Sequence, residues 1–142
     1  MQTQISIEIA RPIDEVFVKA NDVTKWSVTC VEEEILEGDG GTGTRFHMVT
    51  QDRGRRMDFE GVVTRYEPPH ASRVELVGES FDLDVLYEFE DLGGSTRVTQ
   101  SSSVRGKGLW KVMLALTGWM VKRSSCDAQQ NELEGLRTYC EG

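Results

Sequence analysis

Few side chains in this 142-residue sequence are suited to chemistry, and their spacing limits what that chemistry is. The two imidazoles are His47 and His70. His47 alternates with Phe46 and Met48, which puts it on the outer side of a strand, and His70 follows Pro68-Pro69 in a loop. Neither has a cysteine or carboxylate at ligand spacing, so no metal site is expected. Cys30, Cys126 and Cys140 are odd in number and include no C-x-x-C pair. That favours reduced, structural thiols in a cytoplasmic protein over a disulfide framework. Gly38-x-Gly40-x-x-Gly43 has the form of a dinucleotide fingerprint. The fingerprint works only when a helix N-terminus follows the glycines and aims free N–H groups at a pyrophosphate. Thr44 to Gln51 alternates as a strand instead, so the glycines read as a turn and no cofactor is expected.

More promising are the polar residues that share a face with apolar ones. Tyr87 falls in step with Phe81, Leu83, Val85 and Phe89; Gln100 and Ser102 fall between Val98 and Val104; Thr50 follows Phe46 and Met48. An apolar wall with a few such donors is the usual way to orient a hydrophobic ligand. The alternative, that these groups satisfy one another or hold water, stays open. Glu33 shares its face with Val31 and Ile35, and an inward carboxyl must be paired or protonated. No catalytic residue is assigned; were a reaction catalysed, Tyr87 or Glu33 would be the acid or base. Arg53, Arg55 and Arg56 read as solvated charges at a hairpin tip, with an anionic headgroup at a cavity mouth as the alternative.

The elements that position these residues follow from periodicity. Ile5, Ile7 and Ile9 alternate with polar residues as a half-buried strand, and Pro12 then opens a short helix through Ala20. A second short helix is expected near Trp26. Six strands follow, over about 29–36, 44–51, 56–66, 72–77, 81–89 and 96–104, separated by glycine and proline turns. From Leu109 to about Tyr139 the composition is helical. Beyond Lys122 the expected buried face is Cys126, Gln130, Leu133, Leu136 and Cys140. Residues 109–121 are apolar nearly all round, which makes them core and pocket wall, with a dimer face or a membrane-surface contact as alternatives. Gly118 would permit a bend there. The apolar stretch is shorter than the roughly 20 residues a membrane span needs, and the N-terminus has no signal-peptide pattern. A formal charge of −8 opposes nucleic-acid binding.

This order makes one α+β domain over 1–142, in which a curved antiparallel sheet of about six or seven strands must bury its apolar face against the last helix. Several local motifs carry a family resemblance: Ile7-Glu8-Ile9-Ala10-Arg11-Pro12-Ile13-Asp14-Glu15-Val16-Phe17, Asn21-Asp22, Trp26, Gly43-Thr44, Arg65-Tyr66-Glu67-Pro68-Pro69, Gly94-Ser95-Thr96-Arg97-Val98-Thr99 and Leu133-Glu134-Gly135-Leu136. In this order they resemble the START-like (SRPBCC, Bet v 1-like) superfamily, and its bacterial polyketide cyclase/dehydrase-type members in particular. The resemblance implies a helix-grip fold with an internal cavity for a lipid, polyketide or other small hydrophobic molecule. It leaves open whether the chain is a carrier or an aromatase/cyclase, and whether it is a monomer or homodimer. The expected cavity walls are Phe46, Met48, Phe59, Leu83, Val85 and Tyr87, with Gln100 and Ser102 as polar contacts. Met113, Leu116 and Met120 are expected to face them from the helix.

Overall fold

The computed structural model describes residues 2–52 and 54–142; the side chains at 52, 114, 117–122, 124 and 125 lie outside that description. The expected wall residue Met120, the expected hinge Gly118 and the hairpin residue Arg53 all fall outside it. The chain runs β1 (Gln2–Ile9), α1 (Ile13–Ala20), a single 3-10 turn (Val23–Lys25), β2 (Cys30–Glu37), β3 (Arg45–Asp52), β4 (Arg55–Glu67), β5 (Ala71–Gly78), β6 (Phe81–Asp91), β7 (Thr96–Gly106) and α2 (Leu109–Glu141). Strands β2 to β7 form a meander, and β1 returns to pair with β7, giving the order β1-β7-β6-β5-β4-β3-β2 with every pairing antiparallel. Pro12 stands one residue earlier than expected, as the N-cap of α1 rather than its first helical residue.

Because side chains alternate faces with a period of two, the register decides what the sheet presents inward. Met48 lies opposite Phe59, Val74 opposite Val85, Leu76 opposite Leu83, and Tyr87 opposite Gln100. The outer face carries cross-strand ion pairs instead. Arg97 bridges Glu8 at 3.2 Å and Glu90 at 3.1 Å, Arg73 pairs with Asp84, and Arg105 meets Asp82 at 2.8 Å. Phe46 lies opposite Gly61, where any Cβ would overlap the Phe46 ring. Glycine at this position therefore lets an aromatic ring lie flat on the neighbouring strand.

Two apolar clusters result. Ile7, Ile9, Val16, Phe17, Phe89 and Val98 pack with Leu133, Leu136 and Cys140 of α2, while Phe46, Phe59 and Leu76 form a second cluster on the sheet. Thus α2 docks by its C-terminal half. There Arg137 donates to the Glu8 carbonyl at 3.1 Å, and the Ala10 N–H donates to Glu141 at 2.9 Å. Within the amphipathic stripe Gln129 is buried, whereas Gln130, expected inside, is exposed and donates to Glu134.

The N-terminal half of α2 departs from expectation. Leu116 is 76% exposed, Leu109 82% and Met113 50%, so Met113 and Leu116 do not face the cavity. The reason is geometric. A helix of 33 residues is roughly 50 Å long, whereas the eight-residue β1 it docks on spans only about 27 Å. Its first turn is held instead by Trp110, whose ring packs on Phe81 at 5.2 Å and beneath the Arg55 guanidinium at 4.8 Å.

Candidate functional site

A cavity of about 390 Å³ borders both clusters. Phe46, Met48, Leu83, Val85 and Tyr87 line it as the alternation predicts, and Val63, Val74 and Leu76 complete the apolar wall. Phe59 supports that wall without lining it, buried with Phe46 and Leu76. Ala20, Asn21 and Val23 close one side, so α1 and the 3-10 turn contribute to the wall as well.

Polar residues enter the cavity wall from every strand from β2 to β7 and from α2, among them Glu33, Thr50, Ser72, Tyr87, Gln100 and Glu132. Gln100 is 7% exposed; its Nε2 donates to the Tyr87 hydroxyl at 2.6 Å, and its Oε1 has no partner among the described residues. Thr50 Oγ1 is likewise buried without a partner among them. Ser102 does not reach this space. It lies two residues beyond Gln100, roughly 7 Å further along β7, and borders a separate, more open depression beside edge strand β1 with Thr3 and Cys126. That depression is larger, about 610 Å³, but most of the residues around it are polar.

Cys30 and Glu132 escape a reading by alternation. Cys30 pairs with Thr50 and Glu32 with Val49, so Val31 is an extra residue in a bulge. The bulge turns both Cys30 and Glu33 inward although they stand three residues apart. Glu132 of α2 also borders the cavity, and its role is a tether. Its carboxylate accepts from Ser27 Oγ at 2.6 Å, from Thr29 Oγ1 at 3.0 Å and from the N–H groups of Val28 and Thr29 at 3.2 and 3.1 Å. No local signal in the sequence separates Glu132 from the other acidic residues of the helix.

Burial governs the ionisation here. Desolvation pushes the Cys30 thiol up to about 11, with Glu33 and Glu132 adding to the effect. Desolvation likewise raises the Tyr87 phenol above its ordinary value; the Gln100 bond lowers it, and the Glu132 and Cys30 charges raise it. Tyr87 is half-buried and Glu33 is exposed, and both border the cavity. Glu33 is raised by desolvation and then by Asp22. The wall thus carries a neutral thiol and phenol and a carboxyl that resists ionising. Among the described residues none that lines the cavity is a lysine, arginine or histidine.

His47 lies on the outer face, where Glu60 and Asp58 each stand 3.2 Å from a ring nitrogen and raise its pKa. Among the described residues no three His, Cys, Asp or Glu side chains are grouped to hold a metal ion. The glycines at 38, 40 and 43 all have φ near +100°, and the Gly40 N–H donates to Thr44 Oγ1 at 2.9 Å, which makes them a turn between β2 and β3. No helix among the described residues is long and apolar enough to cross a membrane.

Known structures share this architecture. A START superfamily protein from Mycobacterium smegmatis superposes with a TM-score of 0.84 at 18% identity, covering 99% of this chain and 97% of that one. The TTHA0849 protein of Thermus thermophilus gives 0.82 at 16%, with the same coverage. The Zhui aromatase/cyclase from a Streptomyces species gives 0.78 at 13%, covering 99% and 93%. At these identities the likeness establishes the helix-grip fold and no more. No curated protein matches the sequence. A family model, however, described as polyketide cyclase / dehydrase and lipid transport, matches residues 1–141. On that match across almost its whole length, the chain belongs to the polyketide cyclase/dehydrase and lipid transport family.

Proposed function

We propose that the chain binds a small hydrophobic molecule in the cavity between the sheet, α1 and the docked half of α2, and carries it unchanged. The observation that supports this most is the cavity itself, about 390 Å³ with a largely apolar wall, within the range of small-molecule sites. Association costs on the order of 4–15 kcal/mol, and burying a ligand returns about 0.8 kcal/mol per CH₂, so a carrier needs such a preformed space. Met48 on the wall suits ligands of variable shape, because a thioether side chain adapts. Three free cysteines fit a reducing, cytoplasmic setting.

The neutral fluorophore N-phenyl-1-naphthylamine tests the reading. Its emission rises on binding to the wild-type protein and does not rise with Val85→Trp, which fills the cavity from the middle of β6. An equal rise in both proteins would refute cavity binding. A second reading, a cyclase-type enzyme, is favoured by Glu33, an inward carboxyl with no hydrogen-bond donor among the described residues. It requires turnover of a poly-carbonyl substrate that Glu33→Gln abolishes while leaving fluorophore binding intact.

A further inference from the structure

We infer that the ligand is a neutral hydrophobic molecule bearing a hydroxyl group (an alcohol, enol or phenol) and that Tyr87 and Gln100 together bind that hydroxyl. The inference rests on the binding role proposed above and narrows the class of molecule bound.

Hydrogen-bond accounting at the cavity wall carries it. The Tyr87 oxygen accepts a bond from Gln100 Nε2 at 2.6 Å, which leaves its own proton to donate. No acceptor for that proton stands among the described residues, and Gln100 Oε1 has no donor there. The pair therefore offers two unused donors, the phenol proton and the second Gln100 amide N–H, beside one unused acceptor, the amide oxygen. Exchanging the amide nitrogen and oxygen of Gln100 does not alter that count. Tyr87 would then donate to the amide oxygen, leaving both amide N–H groups as donors and the phenol lone pair as the acceptor. Gln100 is more than nine-tenths buried, so neither arrangement is satisfied by bulk solvent. A ligand atom that both accepts and donates matches the pair, and a hydroxyl is the smallest such group. An ether or carbonyl oxygen uses only the donors, and a hydrocarbon uses neither donors nor acceptor.

Charge removes the anionic alternatives. Glu33 and Glu132 border the cavity, and among the described residues no cationic side chain lines it. A carboxylate or phosphate headgroup would sit beside two carboxyl groups with no counter-ion among the described residues, which is unfavourable. Fatty-acid anions and phospholipids are therefore poor ligands, whereas neutral ring systems or chains with a hydroxyl are good ones.

Three compounds of one skeleton separate these terms: 2-naphthol, 2-methoxynaphthalene and 2-naphthoate, titrated at pH 7 by calorimetry. Wild-type protein is expected to bind 2-naphthol about 10-fold tighter than 2-methoxynaphthalene, and 2-naphthoate more weakly than either. Tyr87→Phe and, independently, Gln100→Met should each erase that preference while holding 2-methoxynaphthalene within about 2-fold of wild type. Retained 2-methoxynaphthalene binding shows that a variant is folded, and if one variant fails to fold the other decides. Equal binding of all three compounds, a 2-naphthoate preference, or a 2-naphthol preference that survives either folded variant would overturn the inference and leave the carrier reading intact. Binding of N-phenyl-1-naphthylamine without binding of 2-naphthol would do the same. If neither binds, the carrier reading fails and this inference with it.

Discussion

The first half of α2 has the stronger claim to burial by composition, yet among the described residues it is the second half that is buried. Leu109, Val112, Met113 and Leu116 of the first half are exposed, whereas Leu133 and Leu136 of the second are fully enclosed. What differs is the surface opposite. The second half faces β1, β7 and α1 and is fastened by Arg137, Glu132 and Glu141, while the first has Trp110 against Phe81 as its anchor. Burial is conferred by a facing partner and not by a side chain's own hydrophobicity. Carboxyl groups obey the same rule: Glu132, with four donors, serves as a tether, and Glu33, with none among the described residues, resists ionising.

Four substitutions sharpen or break this contrast. The largest effect is expected from Leu136→Ala, which opens a cavity in the docked half and should lower stability by about 2–5 kcal/mol in denaturant unfolding. Next is Gly135→Ala. Alanine normally favours a helix over glycine by about 1 kcal/mol, but a Cβ at 135 would lie 2.7 Å from the Trp26 carbonyl oxygen, so a net loss of about 1–3 kcal/mol is expected. Stabilisation by this change would show that the docked half is looser than its contacts imply.

Glu33→Gln has a smaller effect of opposite sign, and it depends on pH. The folded pKa of Glu33 lies above its ordinary 4.5. Below about pH 4 the carboxyl is protonated in both states and contributes nothing; as pH rises the unfolded chain ionises first and stability falls. The glutamine variant should therefore melt at a higher temperature than wild type at pH 7, with the gap closing on acidification. A gap that is constant with pH would show that Glu33 is not desolvated. The smallest change is expected from Leu116→Ser, within about 0.5 kcal/mol of wild type. A loss as large as that of Leu136→Ala would mean that the first half of α2 is covered in solution.

The strand faces were legible because a single period governs them. Phe81, Leu83, Val85, Tyr87 and Phe89 alternate without interruption, and β6 follows them. Legibility failed where a partner element decides. Cys30 is turned inward by a bulge at Val31, and nothing in a single strand's sequence marks the residue that its neighbour will skip. Ser102 has the right face but lies past the end of the cavity, a limit set by where α2 crosses β7. Gln129 and Gln130 both fit a helical stripe at the sequence level, and the direction of approach to β7, with Gln129 reaching the Gln100 carbonyl at 3.5 Å, selects the former. Met113 and Leu116 mislead because their apolar character is plain in the sequence, whereas their exposure, 50% and 76%, is set by how α2 docks on the sheet.

The tethers of α2 also bear on the order in which the molecule can be made. Ser27 and Glu132 are 105 residues apart in the chain, and Ala10 and Glu141 are 131 apart. Contacts at such separation are closed late, because the entropy of the intervening loop is lost before they return anything. On the ribosome the meander would emerge with its apolar concave face complete and uncovered until residue 132 and its neighbours arrive. That interval is when aggregation competes with folding, and when a chaperone would best shield the sheet.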